Sequence, residues 1–261
     1  MSQSRTPMSL SSATSVLPLQ SPPSRLIRPA FFLDLDGVLA PLAATPDAVG
    51  PDPRRTAMLE RLAARMQGRV AIVSGRPLSE IDRITDGAAG AASGVHGLER
   101  RDATGGLQQR DSAPSLPQAT RALRAFAEPR PGVIVEDKRG AVALHFRQAP
   151  EQAADATALA HALAAAHGLA LQPGSMVVEL KTPGADKGVA VAAFMAETPF
   201  AGATPIMVGD DLTDEDGFRA AARLGGFGVL VGGPRDTAAR YGLADVNAVL
   251  DWLETVEETP A

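Results

Sequence analysis

Residues Phe31-Phe32-Leu33 form a short, wholly apolar run that stops abruptly at two carboxylates two positions apart, Asp34 and Asp36, followed by Gly37. The run reads as a buried strand, and period-two geometry sends both carboxylates the same way. In an open α/β sheet, ligands bind in the crevice outside the carboxyl ends of the strands, so a carboxylate pair there faces a site rather than the core. A solvated Asx turn at a strand terminus gives the same Asp-x-Asp-Gly string. The rest of the chain has to separate the two.

The pattern around this strand repeats. Arg54 to Met66 has helical apolar spacing (Met58, Leu59, Leu62, Met66), Val70 to Val73 is a second apolar run, and Leu78 to Thr85 is a second helix. Pro205 to Val208 and Gly228 to Val231 supply further strands, and a helix near Asp245 to Val256 closes the unit with Trp252 packed inside. Strands alternating with helices predict an α/β fold, a doubly wound Rossmann-like parallel sheet. Between about 108 and 180 the grammar changes. Val133 to Asp137 and Ala141 to Phe146 flank Arg139-Gly140 as a hairpin, which parallel sheets do not use. An Ala-rich helix from Glu151 to His167 ends at Gly168, and Met176 to Lys181 returns as a strand. The expected organisation is a core of residues 29–107 and 183–261 with an inserted α+β cap of residues 108–182, able to close over the strand ends.

Residues 1–28 are rich in Ser and Pro with scattered apolar positions and read as a disordered tail. No apolar stretch has the length of a secretory or membrane-spanning segment. A net charge of −5 without a basic run makes nucleic acid and anionic membrane poor partners. With no cysteine there is no disulfide, thiolate metal site or Cys nucleophile, which is compatible with a reducing cytoplasm. The expectation is a cytoplasmic monomer acting on a small molecule.

Three more segments carry chemistry. Val73-Ser74-Gly75-Arg76 puts a hydroxyl, a Gly and a cation at a strand end. Asp186-Lys187-Gly188 opens a helix with a cation of the wrong sign for the helix dipole, which an anion in front of that helix would explain. Asp210 to Asp216, after Gly209, packs five carboxylates into seven residues directly after an apolar strand. Neighbouring carboxylates repel by roughly 4 kcal/mol at 4 Å, and a divalent cation relieves that. Oxygen ligands without Cys and with four scattered His favour Mg²⁺ over zinc. Asp214 and Glu215 alone could equally cap a helix. The spacing is not that of an EF-hand, and neither a P-loop nor a Gly-x-Ser-x-Gly elbow occurs.

Together and in this order, the four segments resemble the haloacid-dehalogenase (HAD) superfamily of phosphatases. That resemblance implies Asp34 as nucleophile through an aspartyl phosphate and Asp36 as general acid and base. It implies Mg²⁺ on the Asp34 side chain, the Asp36 carbonyl and Asp210, supported by Asp211 and Asp214, and Ser74 and Lys187 on the phosphoryl oxygens. Val135 to Lys138, His145 to Pro150, Val178 to Lys181, Ser93 to Gly97 and Gly209 to Glu215 are similar to the trehalose-6-phosphate phosphatases. By that likeness Glu136, Lys138, Arg147 and Glu179 bind sugar hydroxyls, with Arg76 and His96 lining the core side, and the product is trehalose, in the last step of its biosynthesis. Charged groups suit a polyhydroxylated sugar because their hydrogen bonds are charge-assisted. His145 is expected to be structural, and His161 and His167 to lie on the surface. Val38 and Phe146 depart from the family's usual Thr and Tyr. Other phosphosugars, such as sucrose 6-phosphate or mannosyl-phosphoglycerate, a phosphomutase, and a non-catalytic phosphosugar sensor are the alternatives.

Overall fold

The computed structural model describes residues 19–43, 48–174 and 176–259, the His96 side chain excepted. Its larger sheet is built on β2 (Pro29–Leu33), whose five residues are all buried. β2 pairs in parallel with β3 (Val70–Val73) on one side and β11 (Thr204–Gly209) on the other. The sheet continues through β12 (Phe227–Val231) to β13 (Tyr241–Leu243), and through β4 (Ala91–Gly94), still in parallel. Beyond β4 it turns antiparallel with β5 (Glu99–Arg101) and β6 (Leu107–Gln109), giving the order β13-β12-β11-β2-β3-β4-β5-β6.

Alternation along β2 explains the two faces. Phe31 and Leu33 point into one apolar cluster with Met58, Leu59 and Leu62 of α1 (Pro53–Arg65), Ile81 and Ile84 of α2 (Leu78–Thr85), and Trp252 of α7 (Val246–Thr255). Phe32 points into the other, with Val191 and Phe194 of α5 (Lys187–Met195) and Phe218 of α6 (Glu215–Arg223). A strand covered by helices on both faces has to be apolar throughout, which is why the run 31–33 does not alternate. No helix among the described residues is long and apolar enough to cross a membrane.

A second, antiparallel sheet of order β7-β8-β10-β9 is formed by β7 (Ile134–Lys138), β8 (Ala141–His145), β9 (Ala170–Gly174) and β10 (Val177–Lys181). One face packs Val142, Leu144, Val178 and Leu180 against Leu116, Ala119 and Leu123 of α3 (Leu116–Ala127) and Ala156 and Ala160 of α4 (Ala153–His167). The other face carries Glu136, Lys138 and Glu179, because these alternate with the apolar set.

Two expectations need correction. The large sheet runs on to Gln109, past the core boundary expected at residue 107, because β6 folds back on β5 as a hairpin. The tail expected through residue 28 is structured over its last ten described positions: Arg25–Ile27 forms β1, paired in parallel with β14 (Glu257–Thr259). Leu19 packs on an apolar cluster, and the Pro23 carbonyl accepts from the Trp252 indole at 3.0 Å. The physical reason is that an indole N–H needs a partner when its ring is buried, and the segment supplies one. Residues 1–18 of that expectation lie outside the described residues.

Candidate active site

Chain direction places the site. From β2 the chain moves to β3 and β4 on one side and only later to β11 on the other, so the carboxyl ends of β2 and β11 flank a topological switch point where a crevice opens. Asp34 directly follows β2, Ser74 follows β3 and Asp210 follows β11; all three are brought together with Lys187, the first residue of α5, around one cavity of about 470 Å³. That volume falls in the range of roughly 300–1,000 Å³ typical of small-molecule sites.

At the floor of the cavity Lys187 Nζ sits between Asp34 Oδ2, at 2.7 Å, and Asp214 Oδ1, at 2.6 Å. Lys187 is 2% exposed and Asp214 is fully buried. The other Asp214 oxygen accepts the backbone N–H groups of Asp210 (2.9 Å) and Asp211 (3.0 Å), so this carboxylate orders both the lysine and the acidic loop. Two carboxylates thus answer the dipole argument for Lys187 from within the chain. Asp211 caps the short turn Leu212–Asp214, and Glu215 is taken up by Thr237, the Ala238 N–H and Arg235. Gly37 has φ +74°, and a Cβ there would lie 2.1 Å from Asp210 Oδ2. Only glycine permits the two acidic loops to meet.

Carboxylate oxygens of Asp34, Asp210 and Asp214 lie within 4.8 Å of one another. Burial lifts Asp34 to about 8, Lys187 acting against that shift and the Asp214 charge adding to it. Burial lifts Asp210 to about 7, again with Asp214 adding and Lys187 opposing. Lys187 is held above its ordinary value: burial acts to lower it, but Asp214 and Asp34 outweigh burial. One ammonium therefore does not balance three carboxylates. An all-oxygen donor set short of positive charge fits a hard divalent cation.

Asp36 is oriented differently from Asp34. Its two oxygens take Arg76 Nε and Nη2 at 2.6 and 2.8 Å, a bidentate fork, and Arg76 also approaches Glu80 at 3.6 Å. Ser74 is buried, its N–H bound to the Ser93 carbonyl at 2.9 Å and its Oγ accepting the Arg76 N–H at 3.2 Å.

Above this floor lies the polar face of the smaller sheet. Glu136 and Glu179 flank Ala143 in register, and Lys138 Nζ reaches both, at 3.4 and 3.3 Å. Burial acts to raise Glu136, yet Lys138 and His145 together hold it below its usual value. His145, expected to be structural, instead borders the cavity, its Nε2 at 2.9 Å from Glu136 Oε2. Gln172 on β9 and Val177 on β10 also line it, as do Leu42 and Leu212 at the rim of the floor. A period-two count from Glu136 onto the paired strands would have found His145. Arg147 lies exposed on the turn after β8, apart from the lining residues. His96 occupies a short turn following β4, and its side chain lies outside the described residues.

Comparison with known proteins agrees with this geometry. The family model for trehalose-phosphatase matches residues 32–247, nearly all of both sheets. The chain belongs to the trehalose-phosphatase family. It is 40% identical over 245 residues to the trehalose-6-phosphate phosphatase of Escherichia coli, covering 92% of this chain and 90% of that one. Its fold resembles the C-terminal domain of Candida albicans trehalose-6-phosphate phosphatase, with a TM-score of 0.76 at 21% identity over 87% of this chain and 92% of that one. A phosphatase of the haloalkanoate (HAD) enzyme superfamily from Bacteroides thetaiotaomicron superposes with a TM-score of 0.59 at 15% identity, over 87% and 93% of the two chains. The fold is the Rossmann-like HAD fold, and this family member is a phosphatase by kinship.

Proposed function

We propose that the chain hydrolyses trehalose 6-phosphate to trehalose and phosphate with Mg²⁺, through an aspartyl-phosphate intermediate on Asp34. The observation that carries the reading is the pairing of floor and roof: buried Asp34 and Lys187 and half-buried Asp210, with Asp214 behind them on Lys187, face Glu136, Lys138 and Glu179 across one cavity. The floor suits a phosphoryl group and the roof suits sugar hydroxyls.

Asp34 Oδ2 attacks phosphorus as the bond to the sugar oxygen breaks, and Asp36 gives its proton to that oxygen. Asp36 then takes a proton from the water that cleaves the acyl phosphate, the reverse role that microscopic reversibility allows one carboxyl. Arg76 now holds Asp36 in a fork. A phosphate dianion competes for that guanidinium, which frees Asp36 to turn to the leaving oxygen. Lys187 and Ser74 hold the equatorial oxygens, where charge develops. Asp34, Asp210 and the Asp36 carbonyl would hold Mg²⁺, with Asp214 ordering the loop behind them, and the ion would supply positive charge at the phosphoryl oxygens. Glu136, Lys138 and Glu179 would bind the disaccharide, with Arg147, Arg76 and His96 proposed at its margin. The inserted unit built on the smaller sheet, β7 to β10 with α3 and α4, is proposed as the part that sets specificity.

Phosphate release from trehalose 6-phosphate beside glucose 6-phosphate, sucrose 6-phosphate and p-nitrophenyl phosphate, with Mg²⁺ and with EDTA, tests the reading. Mg²⁺-dependent preference for the disaccharide phosphate is the expected result. Release without preference would discard the sugar assignment, and no release at all would discard catalysis.

A further inference from the structure

Glu136 and Lys138 stand just before a hairpin tip, Arg139-Gly140, that touches the large sheet. Arg139 makes an ion pair with Glu99 of β5, and its Nη2 donates to Gln109 of β6 at 3.3 Å. The approach is close: a Cβ on Gly140 would lie 1.9 Å from a Leu98 methyl. Glu99 is 4% exposed. Its second oxygen accepts the Leu78 N–H at 2.9 Å, at the start of α2, directly after the loop that carries Ser74 and Arg76. The same loop leans on the β4 end, where the Val95 N–H donates to the Arg76 carbonyl at 3.0 Å.

This contact lies beside the crossings between the two sheets. Thr182 bonds the Gly140 carbonyl through N (2.9 Å) and Oγ1 (3.0 Å), and its Oγ1 also accepts the Ala113 N–H at 3.0 Å. Arg110 Nη1 donates to the Gly184 carbonyl at 2.6 Å, tying the outgoing crossing to the returning one. A brace close to a pivot fixes an angle, and the residues further along the strands, Glu136, Glu179 and His145, move most if it fails. Swinging the roof away would strip a buried carboxylate of its cation, which the fold resists.

We infer that Arg139 is a positioning residue: its ion pair with Glu99 braces the sugar-binding face at the pivot and sets the height of Glu136 and Lys138 over Asp34. The inference rests on the proposed function for its kinetic readout and on geometry alone for its second. Arg139→Gln removes the charge from a side chain that is 52% exposed and leaves Glu99 the Leu78 N–H as a partner, and a thermal melt checks that the variant is folded. If the competent angle becomes about tenfold rarer, apparent KM for trehalose 6-phosphate rises about tenfold. Turnover of p-nitrophenyl phosphate, too short to reach the roof, stays within about twofold. Arg139→Lys restores most of the loss, and in a Glu99→Gln background Arg139→Gln adds nothing.

The independent measurement is the spin-label distance distribution between Glu60→Cys on α1 and His161→Cys on α4, clean because the chain has no native cysteine. It is expected to be narrow in the parent and in Arg139→Lys, and broad in Arg139→Gln. An unchanged distribution overturns the brace, whatever the enzyme hydrolyses. A broadened one with unchanged KM overturns the positioning role, as does an equal loss on both substrates. Should trehalose 6-phosphate fail as a substrate in the parent, the function reading falls while the distance distribution still decides the brace.

Discussion

Asp214→Asn tests the buried centre most sharply. The carboxylate accepts three hydrogen bonds, from Lys187 Nζ and from the N–H groups of Asp210 and Asp211. An amide of the same shape has one acceptor oxygen. Either the Lys187 ammonium or the two backbone donors must then face an NH₂. Removing one partner of a buried pair costs about 3–5 kcal/mol. Lys187 keeps Asp34 at 2.7 Å, which places the loss near the lower bound. Asp34 and Asp210, raised to about 8 and about 7, are mostly protonated at pH 6, so relief of their repulsion with Asp214 offsets little there. A loss of about 3 kcal/mol remains, or a fall in Tm of roughly 6–12 °C for a chain of this size. Thermal unfolding followed by circular dichroism, in EDTA at pH 6, reads it directly.

The pH dependence gives a second check with a definite sign. Asp34 and Asp210 titrate in the folded chain at about 8 and about 7, well above the ordinary 3.8, so their favourable contribution is full below about pH 4, falls steadily as pH rises past that unfolded value, and is gone above about 7 to 8. Without a divalent cation the parent should lose stability over that window. In Asp214→Asn the loss should be smaller and complete at lower pH, since one cause of both shifts is gone. A variant whose Tm stays within about 1 °C of the parent at pH 6 would refute the claim that Asp214 orders this centre.

Asp34→Asn should abolish phosphate release while Tm in EDTA holds or rises, because a neutral amide suits that burial better than a carboxylate. Residual turnover would remove Asp34 from the nucleophile's role. Mg²⁺ binding should expel protons from the raised carboxyls, so its affinity should climb by about tenfold per pH unit for each carboxyl still protonated, up to about a hundredfold per unit near pH 6 and about tenfold between 7 and 8; calorimetry in two buffers of different ionisation enthalpy measures the release. Gly37→Ala should weaken Mg²⁺ activation about tenfold or more, because its methyl would displace Asp210, at a stability cost of about 1–3 kcal/mol for the strained backbone. Metal titration of activity is the assay, and an unchanged midpoint would contradict the close approach of the two loops.

The floor of the candidate site was legible because Asp34, Ser74 and Asp210 each follow an apolar run that ends in polar residues. Phe31-Phe32-Leu33 and Pro205 to Val208 announce strands buried on both faces, and the charges beyond them have nowhere to go but the crevice. Short or small-residue elements left no such trace. β4 is Ala91-Ala92-Ser93-Gly94, without a bulky apolar side chain, and β9 contains Pro173 and Gly174, tolerated because it is an edge strand. β1 and β14 are three-residue strands whose pairing spans the whole chain, so no local window shows it. The role of Asp36 was only half visible: its place was set by β2, but its bidentate capture by Arg76 depends on two strand ends meeting. His145 was missed for a related reason. Its neighbour Glu136 lies nine residues away across a hairpin, and one-letter context does not reveal which face a paired strand turns to the cavity.

The apolar cluster beneath the roof draws every described member from residues 113–180, while the two clusters beneath the floor draw none from that span. The proposed places of bond breaking and sugar choice therefore rest on foundations that share no hydrophobic packing. Substitutions that reshape one can accumulate without loosening the other, and a lineage built this way can change its substrate while keeping its reaction.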